Sequence, residues 1–218
     1  RHQLLGTSAF AYHLNNLLLH IVNSILVFFV LRALRTTKEL FPALAGAILF
    51  AVHPVHVEAV SWIAGYVDLA LTFYVAGAFL LYVKYHENRK NSYFIFAVLL
   101  FGVALFYKEV AIVFPALLLG HDLFYGKKIE LARLGVFVAL SGAYLTIRTL
   151  VLGKPIGALE ISSEGLKHFG EFAAAYMNLL LAPWPLHFYF TAPEEGVIGP
   201  LGICISLGAA GGMLYAAF

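Results

Sequence analysis

The stretch HPVHVEAVSW, residues 53–62, places two histidines and a glutamate between two long apolar runs. Such side chains carry out acid–base chemistry, bind metal ions or hold polar ligands. On a helix His53 and His56 share a face, whereas Glu58 lies about 140° from His53, so the spacing does not favour a two-histidine, one-carboxylate metal site. We interpret the three as catalytic or ligand-positioning residues or, alternatively, as a hydrogen-bonded cluster at a helix end.

Four charged residues interrupt or border later apolar runs. Lys108 and Glu109 break one run, Asp68 follows Gly65, and Arg148 lies one turn before the end of another run. The structural interpretation pairs Lys108 with Glu109 or Asp68, lets Asp68 cap a helix and lets Arg148 snorkel to the interface. The functional interpretation is a phosphate clamp, because lysine and arginine are the usual partners of phosphate oxygens.

A polar stripe runs along the first apolar segment. His13, Asn16, His20 and Asn23 fall within an arc of about 80° on a helix. A stripe this narrow must face other helices or a water-filled cavity. It either makes interhelical hydrogen bonds or lines a site for a polar ligand.

The elements that carry these residues are membrane-spanning helices. The chain of 218 residues is 61% hydrophobic and only 12% charged, which predicts an integral membrane protein. We expect an all-α, polytopic helical bundle forming one transmembrane domain over residues 1–218, with Phe172–Leu181 as an interfacial or re-entrant helix. About seven spans are predicted: Tyr12–Leu31, Phe41–Ser61, Tyr66–Val83, Ser92–Tyr107, Val110–Tyr125, Leu131–Val151 and Val197–Phe218.

Other familiar chemistries are not indicated. The single cysteine, Cys204, excludes an intrachain disulfide and belongs to no metal-binding motif. The sequence has no glycine-rich phosphate loop, no nucleophile elbow and no basic-aromatic stripe, so nucleic acid is not an expected partner. His121 and Asp122 are predicted to be structural, and His86 and Arg89 to lie in a solvated loop.

Lysine and arginine counts predict the orientation. One set of helix ends carries nine of these residues and the opposite set carries five, so the first set should be cytoplasmic. The 53–68 region, Lys108, Glu109 and Arg148 then lie on the extracytoplasmic side. The nine are Arg32, Arg35, Lys38, Lys84, Arg89, Lys90, Lys127, Lys128 and Arg133.

Several stretches, taken in order, resemble a known family. They are YHLNNLLLHIVNSILVF, HPVHVEAVSWIAGYVDL, YKEVAIVFPALLLGHDL, IRTLVLG and YMNLLLAPWPL. Together they resemble the GT-C superfamily of polytopic glycosyltransferases, most closely the transmembrane, tetratricopeptide-repeat-containing O-mannosyltransferases and their prokaryotic relatives. The most specific elements are His-Pro-x-His-x-Glu-Ala-Val followed by Gly-x-x-Asp, and then Lys-Glu one hairpin later.

The resemblance implies transfer of a mannose-like sugar from a polyprenyl-phosphate donor to a protein or other acceptor on the extracytoplasmic face. The membrane would be the bacterial inner membrane or the endoplasmic reticulum. Lys108 and Arg148 would meet the donor phosphate, while His53, His56, Glu58 and Asp68 would shape the sugar and acceptor cavity. His13, Asn16, His20 and Glu109 are further candidates for substrate binding. No metal is assigned, and a divalent metal is the less favoured alternative.

The chain departs from the family pattern in ways that favour an alternative. It begins after the point where the resemblance places a first span and a loop with the catalytic aspartate, so we expect a portion of a longer GT-C module. The Gly-Arg-x-Asp element appears as Gly65-Tyr66-Val67-Asp68, with tyrosine where a phosphate-facing arginine is expected. The alternative is a non-catalytic membrane subunit that packs with other subunits in a larger complex.

Overall fold

The structure is a computed structural model that describes residues 8–34, 39–153, 177 and 179–180. Contacts divide the chain into two units, Arg1–Gly157 and Ala158–Phe218, and all helices below belong to the first. No strand occurs within the described ranges, which confirms the all-α class. The helices are α1 (Ala9–Ala33), α2 (Phe41–Val52), α3 (Val57–Ser61), α4 (Tyr66–Asn88), α5 (Asn91–Tyr107), α6 (Phe114–Phe124) and α7 (Leu131–Leu152).

The helices have the length and surface of a membrane protein. Ala9–Ala33, Ile63–Asn88 and Leu131–Leu152 are long and apolar enough to cross a membrane, and α2 forms a pair with Pro54–Ser61 that is bent by 45°. Large apolar side chains such as Phe106 and Leu150 point outward and are more than three-quarters exposed. Exposing so much apolar surface to water costs free energy, whereas contact with lipid does not. The protein is therefore an integral membrane protein.

The predicted spans agree with α1, α4, α5 and α7 but differ at the second and the fifth. The second, Phe41–Ser61, is divided at His53 into α2 and the bent segment Pro54–Ser61. In place of one helix over Val110–Tyr125, the structure has a 3-10 turn, Glu109–Val113, followed by the 11-residue α6. Pro115 lies in the first turn of α6, where its missing N–H is tolerated. The predicted span Val197–Phe218 lies outside the described residues. Of Phe172–Leu181 only residues 177, 179 and 180 are described, and these are helical.

The core lies where α4, α5, α6 and α7 meet. Phe101, Phe114 and Phe137 are buried there with ring centroids 5.1–5.5 Å apart. Ala78 of α4 and Ala97 of α5 are fully buried, because small side chains let two membrane helices approach closely. This packing brings together the ends of α4, α5 and α7 at which Asp68, Lys108 and Arg148 lie.

A buried polar cluster joins α4 to α6. The Tyr82 hydroxyl donates to Asp122 Oδ2 at 2.6 Å, and His121 Nδ1 lies 2.9 Å from Asp122 Oδ1. His86 Nε2 lies 3.5 Å from the same oxygen. The contacts agree with the structural role predicted for His121 and Asp122. The prediction that His86 lies in a solvated loop was wrong, because α4 continues to Asn88 and buries this side chain.

Candidate functional site

The HPVHVE stretch forms a break between two helices. Pro54 has no N–H to continue α2, so α2 ends at Val52 and His53 adopts an extended backbone conformation. The Val55 N–H then donates to His53 Nδ1 at 3.2 Å. As predicted from Pro54, the chain changes direction at His53.

Three histidines gather around this break. His20 of α1 donates from Nε2 to the Ala51 carbonyl oxygen at 3.0 Å. This carbonyl needs an outside donor, because the Val55 N–H that would normally reach it is bonded to His53. The His56 ring centroid lies 5.1 Å from that of His20 and 6.3 Å from that of His53. The histidines therefore stabilise a bent chain and also form one imidazole-rich wall.

Asn16 lies one turn before His20 and holds the other end of the break. Its Nδ2 donates to the carbonyl oxygens of Trp62 at 2.8 Å and Val60 at 3.3 Å. The Val60 carbonyl oxygen lies in the last turn of α3, and the Trp62 carbonyl oxygen also accepts from the Gly65 N–H at 2.9 Å, so the amide ties the end of α3 and the turn that follows to α1. One fully buried amide thus fixes the path of the chain leading towards Asp68.

Replacing Asn16 with leucine is expected to lower the free energy of unfolding by about 1–3 kcal/mol, because the hydrogen bonds that tie the carbonyls of this loop to α1 are lost. Thermal unfolding of the detergent-purified protein measures the change. Asn15→Leu is the matched control, because Asn15 Nδ2 is buried without a hydrogen-bond partner among the described residues. The control should be neutral or stabilising, and an equal loss in both variants would contradict the role given to Asn16.

Gly65 is required by the close approach of two backbone segments. A Cβ atom at this position would lie 2.3 Å from the Ala59 carbonyl oxygen, which is closer than any real contact. We expect Gly65→Ala to lower the free energy of unfolding by about 1–3 kcal/mol, since the backbone must move apart. In α6, Gly120→Ala has nothing within 4 Å of the new methyl group and serves as the control in the same thermal unfolding measurement. Equal stability of the two variants would show that the loop accommodates the methyl group.

Two ion pairs lie beyond this loop. Lys108 Nζ is 2.6 Å from Asp68 Oδ1, and Arg148 Nη1 is 3.5 Å from Glu109 Oε2. Because Lys108 and Glu109 are neighbours in sequence, the pairs bring the first turn of α4 and the last turns of α7 to one place. The predicted pair between Lys108 and Asp68 is confirmed, while Glu109 pairs with Arg148 and not with Lys108.

Arg148 has hydrogen-bonding capacity to spare. Its Nη1 donates to the Tyr144 hydroxyl at 3.3 Å, and its Nε is buried with no hydrogen-bond partner in the part of the chain that the structure describes. The side chain lines a groove of about 390 Å³ between α5 and α7. The other walls are mostly apolar and include Gly102, Phe106 and Ile147. A cation with a buried, unsatisfied donor among the described residues therefore lies in the wall of a mostly apolar groove.

Tyrosines lie next to the ion pairs, and sequence reasoning missed Tyr74 and Tyr107 while noting Tyr66 only as a departure from the family pattern. The Tyr107 hydroxyl lies 3.5 Å from that of Tyr66, and the Tyr107 ring stacks on Tyr74 at a centroid distance of 5.2 Å. The only available signal was adjacency, because Tyr107 directly precedes Lys108 and Tyr66 lies two residues before Asp68. Aromatic faces beside charged groups are suited to contact with a sugar ring or a cation.

The ten predicted site residues fall into two groups and two outliers. Asn16, His20, His53 and His56 surround the helix break, while Asp68, Lys108, Glu109 and Arg148 form the ion pairs. Asn23 extends the α1 stripe towards the second group, donating to the Leu69 carbonyl oxygen at 2.8 Å. The outliers are Glu58 and His13, whose side chains make no hydrogen bond with the described residues.

His13 departs from the predicted stripe. Asn16, His20 and Asn23 are buried, whereas His13 is exposed. It lies near the start of α1 and borders an open cleft together with Val60 and Ser61. Within the described ranges, no group of three or more histidine, cysteine or acidic side chains is placed to hold a metal ion.

These features define a polytopic, all-α membrane protein with polar groups collected at helix ends. The family of dolichyl-phosphate-mannose-protein mannosyltransferases matches residues 1–150, and the chain belongs to this family. The resemblance to membrane O-mannosyltransferases of the GT-C class is thereby confirmed.

Individual relatives agree with the family. The chain is 41% identical over 107 residues to the protein O-mannosyl-transferase Tmtc1 of Drosophila melanogaster, covering 49% of this chain and 12% of the relative. It is 36% identical over 100 residues to protein O-mannosyl-transferase F38B6.6 of Caenorhabditis elegans, covering 45% and 14%. It is 30% identical over 128 residues to mouse protein O-mannosyl-transferase TMTC3, covering 57% and 14%. No solved structure matches.

The matches with these three relatives span 12–14% of their length. Their names support glycosyl transfer as the general activity of this class of membrane protein. The donor, the acceptor and the side of the membrane are inferred from the residues of the site.

Proposed function

We propose that the protein takes part in transfer of a mannose-like sugar from a polyprenyl-phosphate donor to an acceptor hydroxyl at the extracytoplasmic face. The donor combines a phosphate anion with a long apolar chain, so its site needs a cation at the edge of an apolar groove. The observation that carries the proposal is the position of Arg148, which lines the groove between α5 and α7 and whose Nε has no hydrogen-bond partner among the described residues.

Lys108 supplies the second cation. In the transfer step the acceptor oxygen forms a bond to the anomeric carbon, while the bond from that carbon to the phosphate oxygen breaks. The electron pair of the broken bond stays on the phosphate, and the hydroxyl proton passes to a general base of the full-length protein. Lys108 and Arg148 then stabilise the charge that grows on the leaving phosphate.

Asp68 and Glu109 act as counterions in this scheme. Without donor, each carboxylate holds one cation near the site and limits the cost of placing charge beside lipid. When the donor binds, its phosphate takes over part of this pairing. His53, His56 and Glu58, with Asn16 and His20 behind them, shape the cavity for the sugar and the acceptor, and His13 lies at its border.

The groove gives a direct test of the donor class. Gly102 lies in its wall and has nothing within 4 Å of a new Cβ, so Gly102→Phe is chosen to place a bulky side chain in the groove. In the full-length reconstituted protein this variant should raise KM for a long-chain polyprenyl-phosphate mannose by about tenfold, since an apolar contact of this size contributes about 1–3 kcal/mol. A short-chain donor should be affected less.

The control for this test is Gly120→Phe. Gly120 also has nothing within 4 Å of a new Cβ, but it lies in α6, away from the groove. It should leave KM for the long-chain donor unchanged. Transfer from a nucleotide-linked mannose with no activity from the polyprenyl donor would overturn the proposal.

A non-catalytic membrane subunit is the second candidate, and one observation favours it. Both cations already pair with carboxylates, and Tyr66, at the position where the family resemblance places an arginine, contacts Tyr107. A protein of this kind would show no sugar transfer with any donor while still co-purifying with other membrane subunits. The transfer assay on the full-length protein therefore separates the two candidates.

A further inference from the structure

Two loops are tied together at the end of the bundle opposite the ion pairs. Glu130, directly before α7, accepts hydrogen bonds from the Tyr85 hydroxyl at 2.8 Å and from Arg133 Nε at 2.7 Å. It also pairs with Arg89, which follows α4. Arg133 Nη2 donates to Asn91 Oδ1 at 3.1 Å. The loop between α4 and α5 is thus fixed against the start of α7.

The backbone at Arg89 supports a role for its side chain. Arg89 has a φ of 56° and is the only non-glycine residue with positive φ among the described residues. Glycine or asparagine is the usual residue in this left-handed conformation after a helix. An arginine here is therefore kept in a less favourable conformation that brings its guanidinium to Glu130 while leaving about half of it exposed.

The charges at this end do not cancel. Burial raises the pKa of Glu130, but hydrogen bonds from Tyr85, Arg89 and Arg133 lower it by more. The pKa therefore lies below its usual value, and the carboxylate remains ionised. Neither α5 nor α7 carries an acidic residue in its first turn. Three positive charges remain over residues 84–90 and 121–133, because six cations meet three carboxylates: Lys84, Arg89, Lys90, Lys127, Lys128 and Arg133, against Glu87, Asp122 and Glu130.

Three of these cations are open to a partner. Lys90, Lys127 and Lys128 are exposed, and no described carboxylate pairs with them. They lie at the far end of α4 from Asp68, and twenty helical residues between Asp68 and Asn88 span about 30 Å, the thickness of a hydrocarbon core. With the ion pairs at one membrane surface, the lysines lie at the level of the headgroups of the other.

We infer that the joined loops form a binding surface for anionic phospholipid headgroups, with Lys90, Lys127 and Lys128 contacting the phosphates around the fixed Arg89–Glu130–Arg133 group. Clusters of four to eight basic residues next to membrane spans attract anionic lipid in this way. The inference does not depend on the proposed function, because none of these residues contributes to the groove or to the ion pairs.

Lipid retention tests the inference. The full-length protein is reconstituted in vesicles of equal parts phosphatidylglycerol and phosphatidylcholine, extracted in mild detergent, and its bound lipids are counted by native mass spectrometry. The wild type should retain phosphatidylglycerol in preference to phosphatidylcholine. The triple variant Lys90→Gln, Lys127→Gln, Lys128→Gln should lower this preference by about 100-fold, as expected for removing three charges near the surface.

The control keeps the charge. A triple variant with arginine at the same three positions should retain phosphatidylglycerol like the wild type, and high salt should weaken retention in both. Equal retention by the glutamine variant would overturn the inference. Displacement of the lipid by inorganic phosphate at matched concentration would also overturn it, because the surface would then bind free phosphate. Sugar transfer by the glutamine variant should be unchanged. A loss of lipid retention can then be assigned to this surface and not to the proposed donor site.

Discussion

Replacing Lys108 with glutamine is expected to lower kcat/KM for sugar transfer by about 100-fold or more, the usual effect of removing one group that stabilises developing negative charge. The ammonium is held 2.6 Å from Asp68, next to the site proposed for the donor phosphate. Glutamine keeps most of the length of the side chain but cannot neutralise the leaving phosphate. Transfer from polyprenyl-phosphate mannose by the full-length protein in proteoliposomes measures the effect.

A double-mutant cycle separates catalysis from folding. Lys108→Gln leaves Asp68 without its cation, so a loss of activity alone could reflect a damaged fold. The double variant Lys108→Gln, Asp68→Asn removes both charges and should recover thermal stability without recovering transfer. Recovery of transfer along with stability would mean that Lys108 serves only to neutralise Asp68.

Replacing Arg148 with glutamine is expected to raise KM for the polyprenyl-phosphate donor by about 10- to 100-fold, because a hydrogen bond to a charged group contributes about 1.5–3 kcal/mol. Arg148→Lys should recover only part of this loss, since an ammonium cannot bind phosphate oxygens in the two-pronged geometry of a guanidinium. Initial-rate measurements at varied donor concentration separate KM from kcat.

Tyr144→Phe is the control for this series. It removes the hydroxyl that accepts from Arg148 Nη1 but keeps the ring in the groove wall. A small change in donor KM is expected. If Arg148→Gln left KM unchanged while lowering thermal stability, Arg148 would serve only as the partner of Glu109. The assignment of the groove as the donor-binding site would then be contradicted.

The sequence predicted the local features well because each depends on neighbouring residues. Pro54 cannot donate to the helix that precedes it, so the break at His53 follows from one residue type. Long apolar runs predict helices in a membrane, because only internal hydrogen bonds satisfy the backbone there. Asp68 in the first turn of α4 follows from the Gly65 boundary and the helix dipole.

The pairing between helices could not be predicted in the same way. Lys108 had two candidate carboxylates, its neighbour Glu109 and Asp68 on another helix, and periodicity does not say which helix packs alongside. The structure pairs Lys108 with Asp68 and leaves Glu109 for Arg148. The hydrogen bond from Asn16 to the Trp62 carbonyl oxygen also depends on a tertiary contact. The sequence predicted that Asn16 lies on a polar face of its helix, but it could not predict the partner.

The surroundings of two histidines depend on how far the neighbouring elements extend. His86 was expected in a loop because charged residues surround it, yet α4 continues past it and Asp122 on α6 offers a buried partner. His13 was expected to face other helices or a water-filled cavity because it shares a face with Asn16, and it is exposed beside an open cleft near the start of α1. Periodicity identifies the face of a helix, but the extent of the neighbouring elements decides what is covered.

The most direct test is a structure of the full-length protein with a polyprenyl-phosphate sugar bound. The proposal predicts phosphate oxygens within about 3 Å of both Lys108 Nζ and the Arg148 guanidinium, the distance of a charge-assisted hydrogen bond, with the lipid chain in the groove between α5 and α7. A donor phosphate bound elsewhere, with Lys108 still on Asp68 and Arg148 still on Glu109, would contradict it.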